Sequence, residues 1–280
     1  MSRVDDLPPL REVIARFDLG ARKSLGQHFL FDLNLTARVA RAAGDLTGVT
    51  VVEVGPGPGG LTRALLGTNA REVVAVERDP RFVEALAEVI EAAEGRLRLV
   101  QADALKVDLE ELVPAPRAVI ANLPYNVGTP LLFGWLRRME AFRSLTLMFQ
   151  KEVVDRIVAE PRSKAYGRLA VMCQWRAECR SAFDIPARAF TPPPKVVSAV
   201  VHMTPRSMPA DAPDFETMET VVGAAFNQRR KMLRASLKAL GMDTESLILE
   251  AGLEPTARAE EIDVAGFVAL AKAWAAQRGA

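Results

Sequence analysis

Long apolar runs are missing from this 280-residue chain, and cysteine nearly so. No stretch approaches the roughly 20 apolar residues of a membrane-spanning helix, which argues against an integral membrane protein of the helical kind. The N-terminus, Met1-Ser2-Arg3-Val4-Asp5-Asp6, lacks the charged-then-apolar pattern of a secretory leader. The two cysteines, Cys173 and Cys179, share one apolar stretch with no histidine nearby. That is a poor metal signature and reads as buried thiols. A reducing cytoplasm, no membrane and no metal are expected. Internal repeats and low-complexity tracts are absent as well.

Net charge is also scarce: +1 for the whole chain, where domains that bind nucleic acid are often strongly basic. Its distribution is uneven. From Arg71 to Glu111 there are eleven acids and six bases; from Arg137 to Arg180 there are ten bases and five acids. Between Asn227 and Leu240 stand Arg229, Arg230, Lys231, Arg234 and Lys238 with no acid among them. A near-neutral total can hide a basic face. Solvated helix faces remain an alternative for the middle segment, less so for the unbroken triplet Arg229-Arg230-Lys231.

What is present is an alternation of short β-branched runs and amphipathic segments, the pattern of an α/β doubly wound fold. Strands are predicted at Thr50–Val54, Val73–Val76, Leu97–Val100, Ala118–Ala121 and Leu145–Phe149, with Ala182–Ile185 and Val196–Met203 as an antiparallel edge pair. Helices are predicted at Leu7–Phe17, Leu33–Ala43, Gly60–Leu66, from Pro80 through Ile90, and at Leu131–Arg138, Lys151–Val158 and Gly167–Trp175. Gly20 to Lys23 reads as a basic loop. Pro205 to Pro213 reads as a linker. Beyond it only helices follow: Phe215–Phe226, Arg230–Leu240, Thr244–Ala251 and Val264–Ala275. The expected division is 1–204 and 205–280.

After the first strand the chain reads Gly55-Pro56-Gly57-Pro58-Gly59-Gly60 and enters a helix. Glycines there let backbone amides approach a ligand. The spacing alone is a weak signal. Glu77 sharpens it, since a carboxylate at the end of the second strand can accept both hydroxyls of a ribose. That suits NAD and S-adenosylmethionine alike. Asp103, after the third strand, can accept from an adenine amino group beside the Ala104 backbone, or can simply cap a helix.

The fourth strand ends in Asn122-Leu123-Pro124-Tyr125. The lone pair of an exocyclic base amine is delocalised into its ring. Two acceptors, the Asn122 side-chain oxygen and the Leu123 carbonyl, would draw that nitrogen toward pyramidal geometry and expose the pair. Pro124 fixes the turn and has no N–H to compete. Tyr125 can stack on the base, a contact worth about 1–3 kcal/mol, or can pack on the core as a loop aromatic. With the glycine loop, these residues read as a methyltransferase site acting on a nucleobase amine. Further on, Phe190 precedes Thr191-Pro192-Pro193-Pro194-Lys195. That stiff segment can present Phe190 to a base and Lys195 to phosphate, or serve as a connector with Phe190 buried.

These segments, in this order, resemble the small-subunit ribosomal RNA adenine dimethyltransferases nearly end to end. The likeness includes Lys23-Ser24-Leu25-Gly26-Gln27-His28-Phe29-Leu30, Glu53-Val54-Gly55-Pro56-Gly57, Asn122-Leu123-Pro124-Tyr125-Asn126 and Gln150-Lys151-Glu152-Val153. It continues through Ser163-Lys164-Ala165-Tyr166-Gly167-Arg168-Leu169, Phe190-Thr191-Pro192-Pro193-Pro194-Lys195-Val196 and Ala225-Phe226-Asn227-Gln228-Arg229-Arg230-Lys231. The resemblance implies a Rossmann-like methyltransferase fold with a mixed seven-stranded sheet and a small all-α C-terminal domain. It implies S-adenosylmethionine as cofactor, held by Gln27, His28, Leu30, Gly55, Gly57, Glu77, Asp103, Ala104 and Asn122. Position 28 is often Asn in relatives. It further implies four methyl transfers to two adjacent adenosines in the 3′-terminal hairpin loop of small-subunit rRNA, during late subunit assembly. Tyr125, Phe190, Lys195, Arg229, Arg230 and Lys231 would meet that RNA.

Rival readings differ at named residues. Resistance methylases of large-subunit rRNA share Asn-Leu-Pro-Tyr; the Phe-Thr-Pro-Pro-Pro-Lys-Val and Phe-Asn-Gln-Arg-Arg-Lys segments favour the small-subunit enzyme. DNA adenine methyltransferases usually carry Pro in place of Leu123. A dehydrogenase would need a hydride-transfer acid that is missing after the fourth strand. A mainly non-catalytic assembly factor remains a second role for the same surface. A monomer is expected of an enzyme that docks on a ribosomal subunit.

Overall fold

The computed structural model describes residues 3–20 and 28–279. The chain forms two compact units, Met1–Val154 with Arg180–Pro205 and Asp155–Cys179 with Arg206–Ala280. The basic loop expected up to Lys23, and Gln27, lie outside the described residues.

The strands in chain order are β1 Phe29–Leu30, β2 Thr50–Val54, β3 Glu72–Glu77, β4 Leu97–Gln101, β5 Arg117–Asn122, β6 Ser144–Gln150, β7 Ala177–Ile185, β8 Phe190–Thr191 and β9 Ser198–Pro205. Seven of them make one sheet in the order β4-β3-β2-β5-β6-β9-β7. β2 pairs in parallel with β3 and β5, β3 with β4, and β5 with β6; β9 runs antiparallel to β6. β2 is buried along its whole length, as parallel strands covered on both faces are. Successive strands step outward from β2 to β4, then the chain crosses back to β5. The switch point is the gap between β2 and β5, where a crevice opens at the carboxyl ends of the strands.

The expected strands are all present. The last two are hydrogen-bonded neighbours at one end of the sheet, as an edge pair should be. β9 is inserted between β6 and β7 and is buried from Ser198 to Met203, so only β7 lies at the edge. A separate two-stranded ladder joins β1 to β8.

In the first unit, α1 Leu10–Arg16, α2 Leu33–Ala42, α3 Gly60–Leu66, α4 Pro80–Ala85, α5 Ala87–Ala92, α6 Leu109–Leu112 and α7 Gly128–Arg137 flank the sheet. Their starts are chemically marked. Asp32 accepts from the amides of Asn34 and Leu35, and Asp79 from that of Arg81, with Pro80 at the first helical position.

α8 Lys151–Ile157 leads from the sheet into the second unit. That unit contains α9 Arg168–Arg176, α10 Phe215–Asn227, α11 Leu233–Ser236, α12 Thr244–Glu250 and α13 Val264–Gly279. α9 packs on α10 and α13. The buried Tyr166 hydroxyl donates to the Ile262 carbonyl at 2.8 Å, and Phe226 stacks on Phe267 at 5.6 Å. Residues 155–179 therefore pack with the C-terminal helices, although the linker signal stands at Pro205. The helix expected at Arg230–Leu240 begins only at Leu233, because Met232 is extended, and it tightens to a 3₁₀ turn over Leu237–Leu240. No helix among the described residues is long and apolar enough to cross a membrane.

Candidate cofactor and base site

A cavity of about 370 Å³ lies in the first unit at the carboxyl ends of β2, β3 and β5. His28, Leu30, Gly55, Gly57, Glu77, Asp103, Ala104 and Asn122 through Tyr125 line it. Residues separated by up to 97 positions in sequence thus meet, and they are the expected ones from both the glycine loop and the strand-end motif.

The floor is built by the turn from β2 to α3. Gly57 has φ 54°, a left-handed conformation that costs glycine least. Its amide donates to Glu77 Oε2 at 3.3 Å, and the amide of Asp79 donates to Oε1 at 2.7 Å. Glu77 is 7% exposed, and burial raises its carboxyl pKa although those amides pull the other way. Gly60 opens α3 against the N-terminal segment; a Cβ there would stand 2.7 Å from the Leu30 carbonyl oxygen. Leu30 itself is buried in the main core and also borders the cavity.

Asp103 serves two partners at once. Oδ1 accepts from the Leu105 amide at 3.1 Å and caps a 3₁₀ turn over Ala104–Lys106, and Oδ2 lies 3.6 Å from Arg78 Nη1. The capping role and a place on the cavity wall therefore belong to the same side chain.

Glu53, which in the sequence is only one residue of the segment leading into the glycine loop, is a wall of the same cavity. It is 1% exposed, and its Oε2 has no hydrogen-bond partner. Burial, with the Glu77 charge added and the Thr62 hydroxyl opposing, raises its pKa from 4.5 to about 8. The sequence signal was one carboxylate inside an otherwise apolar strand. With Glu77 and Asp103 it puts three carboxyl groups on the cavity wall, of which Glu53 holds its proton at neutral pH. Among the described residues no group of three or more His, Cys, Asp or Glu is placed to hold a metal ion.

Asn122 ends β5, and its Nδ2 donates to the His28 main-chain carbonyl at 3.2 Å. Leu123 is buried, and the Pro124 carbonyl accepts from the amides of Val127 and Gly128 to start α7. Tyr125 is half-buried on the cavity wall; its hydroxyl bonds Ser198 Oγ at 2.7 Å, and burial raises its pKa. Its ring lies 5.5 Å from that of His28. His28 Nδ1 donates to the Pro192 carbonyl at 2.8 Å.

Two expected RNA contacts are corrected by their surroundings. Phe190 is 2% exposed, paired with Leu30 in the β1–β8 ladder and packed in the main core, so it cannot stack on a base. Lys195 is exposed on the loop between Pro192 and Ser198, whose ends touch His28 and Tyr125. In the second unit Arg229 is used internally. Its Nε donates to Glu260 Oε2 at 2.8 Å and its Nη2 to the Lys164 carbonyl at 2.9 Å. Arg230 and Lys231 are exposed. The loop that Arg229 anchors adds exposed Arg162 and Lys164, which the basic excess from Arg137 to Arg180 foreshadowed without singling them out.

A family model for ribosomal RNA adenine dimethylase matches residues 19–276. The ribosomal RNA small subunit methyltransferase A of Paramagnetospirillum magneticum is 63% identical over 268 residues, covering 96% of this chain and 95% of that one. Its counterpart in Rhodospirillum rubrum is 62% identical over 269 residues, covering 96% and 93%. Among solved structures, the 23S rRNA methyltransferase ErmE aligns with a TM-score of 0.66 at 27% identity, over 88% of this chain and 99% of that chain. A dimethyladenosine transferase from Plasmodium falciparum shares the fold, with a TM-score of 0.75 at 24% identity over 87% and 96%.

Proposed function

Because the chain belongs to the ribosomal RNA adenine dimethylase family, we propose that it methylates N6 of two adjacent adenosines in the 3′-terminal hairpin loop of small-subunit rRNA, giving N6,N6-dimethyladenosines. The methyl donor is S-adenosylmethionine. The observation that carries the reading is the meeting of Asn122 and Tyr125 with Gly57, Glu77 and Asp103 around one cavity.

The residues fit that cofactor. Glu77, Asp103 and Asn122 bring polar groups to a largely apolar wall, and Gly55, Gly57 and Gly60 border the same space. Glu77 would take the ribose hydroxyls, Asp103 and Ala104 the adenine edge, and Gly55, Gly57, Leu30, Asn122 and the His28 main chain the remainder, together with Gln27. When bound, the cofactor supplies a methyl group on a positively charged sulfur, a reactive donor that needs alignment rather than acid–base help. The protein's own task is to hold the acceptor amine. Asn122 Oδ1 and the Leu123 carbonyl accept its two hydrogens and turn the nitrogen lone pair out of the ring plane. Tyr125 stacks on the base and keeps it in register. After one transfer the nitrogen keeps one hydrogen, so one acceptor still holds it for the second. A loop adenosine must leave its stack to enter, which costs less than extrusion from a duplex.

The second unit would dock on rRNA through Arg230, Lys231, Arg162 and Lys164, with Lys195 near the target loop. The protein would act as a monomer in the cytoplasm on a nearly assembled subunit. The likeness to ErmE keeps large-subunit rRNA as a second substrate reading, disfavoured by the much higher identity to small-subunit relatives.

The test is transfer of labelled methyl from S-adenosylmethionine to small subunits from a strain lacking the dimethylation, beside mature subunits, naked rRNA and large subunits. Label as N6,N6-dimethyladenosine in the 3′-terminal loop is the expected result. Label on large-subunit rRNA alone would move the target. Cofactor binding without transfer to any substrate would leave a binding role in subunit assembly.

A further inference from the structure

His28 joins two distant segments through different atoms. Its Nδ1 lies 2.8 Å from the Pro192 carbonyl oxygen, and its own carbonyl oxygen lies 3.2 Å from Asn122 Nδ2. A carbonyl oxygen only accepts. Nδ1 must therefore carry the hydrogen, and Asn122 must turn its NH₂ toward His28. The Asn122 amide then has one accepting atom left for a substrate amine, Oδ1.

The surroundings hold this arrangement from both sides. Phe29 stands opposite Thr191 and Leu30 opposite Phe190, so the His28–Pro192 contact continues the β1–β8 ladder by one residue. Pro192 has no N–H and cannot compete with Asn122 for the His28 carbonyl. Six residues on, Ser198 bonds the Tyr125 hydroxyl, and the Tyr125 ring lies 5.5 Å from the imidazole. The contacts close into a loop that includes both residues expected to hold the base.

We propose that His28 is a positioning residue for methyl transfer: its ring, held on the Pro192 carbonyl, fixes the main-chain carbonyl that sets the amide orientation of Asn122. This rests on the reading of Asn122 as the grip on the acceptor amine. It differs from a direct side-chain contact with the cofactor, because the ring's donor is already engaged with protein. Asparagine places Nδ2 where histidine places Nδ1, so either residue can donate to Pro192. Aspartate has the shape of asparagine and only acceptors.

Three variants separate the possibilities: His28→Asn, His28→Asp and His28→Ala. A catalytic group displaced by about 1 Å costs about 100-fold in rate, so His28→Asp should lower kcat by about that factor, and His28→Ala by about tenfold. His28→Asn should restore kcat to within about threefold of the parent, and KM for the subunit and cofactor affinity by calorimetry should stay within about threefold in all three. The side-chain amide resonances of Asn122, read by NMR without substrate, should shift in the Asp and Ala variants and not in the Asn variant. Equal kcat for Asp and Asn variants, or a loss confined to cofactor affinity, would overturn the proposal. So would an Asn122 signal unmoved by His28→Asp. A parent protein that methylates nothing would overturn the functional reading instead, while the NMR comparison still decides the orientation of Asn122.

Discussion

Replacing Glu53 with glutamine should make the protein more stable, and the gain should grow with pH. The Glu53 carboxyl is 1% exposed and one of its oxygens has no partner. Burial is the main reason its pKa rises from 4.5 to about 8. The sign follows from linkage. Below pH 4.5 the group is neutral whether the chain is folded or not, and its stabilising contribution is fully present. Between pH 4.5 and 8 the unfolded chain ionises it and the folded chain does not, so stability falls as pH rises, until the folded group ionises as well. At about 1.4 kcal/mol per pH unit, the three units from 4.5 to 7.5 amount to about 4 kcal/mol. Glutamine keeps the shape and does not titrate. Urea unfolding of parent and Glu53→Gln without added ligand should differ by about 4 kcal/mol at pH 7.5 and by less than about 1 kcal/mol at pH 5. A difference independent of pH, or a variant less stable at pH 7.5, would show that Glu53 is not held protonated by burial. A residue this costly to fold, on the wall of the cavity proposed for the cofactor, fits the pattern of stability given up for a site.

The remaining predictions concern the same cavity and the second unit. Glu77→Ala should weaken S-adenosylmethionine binding at least about tenfold by calorimetry, two lost charge-assisted bonds being worth more than that, and unchanged affinity would remove Glu77 from the ribose site. Gly60→Ala forces a Cβ to within 2.7 Å of the Leu30 carbonyl, so the thermal midpoint should fall by the equivalent of about 1–3 kcal/mol; an unshifted midpoint would show that the N-terminal segment yields freely. Arg229→Ala should destabilise the protein by about 1–2 kcal/mol, by loss of its bonds to Glu260 and Lys164. The Arg230→Ala/Lys231→Ala pair should leave stability alone and reduce the salt dependence of subunit binding by about one unit of slope per phosphate contact. Equal effects of the two on the salt slope would return Arg229 to the RNA face.

Much of the fold was legible because its signals are local. Ala118–Ala121 is a continuous apolar run and Thr50–Val54 a β-branched one broken only by Glu53, which is how strands covered on both faces read. Gly55 to Gly60 and Asn122 to Tyr125 announce themselves because a tight turn and a strand-end grip need particular residues in succession. Local residue patterns therefore carried the alternation of elements, the family and the segments that line the cavity.

What the tertiary structure alone decided depends on partners far apart in sequence. The insertion of β9 between β6 and β7 and the packing of α9 on α10 and α13 are choices of neighbour, which residue types do not encode. Phe190 and Tyr125 are both aromatics close to proline in sequence, yet one is sealed in the core and the other lines the cavity. Arg229 and Arg230 are adjacent and alike, but only the first reaches Glu260. Glu53 became an acid with a shifted pKa, and His28 the support of Asn122, only when folding removed water from one and brought a carbonyl to the other. Burial and hydrogen-bond partnership are properties of the space around a side chain, and that space exists only in the folded chain.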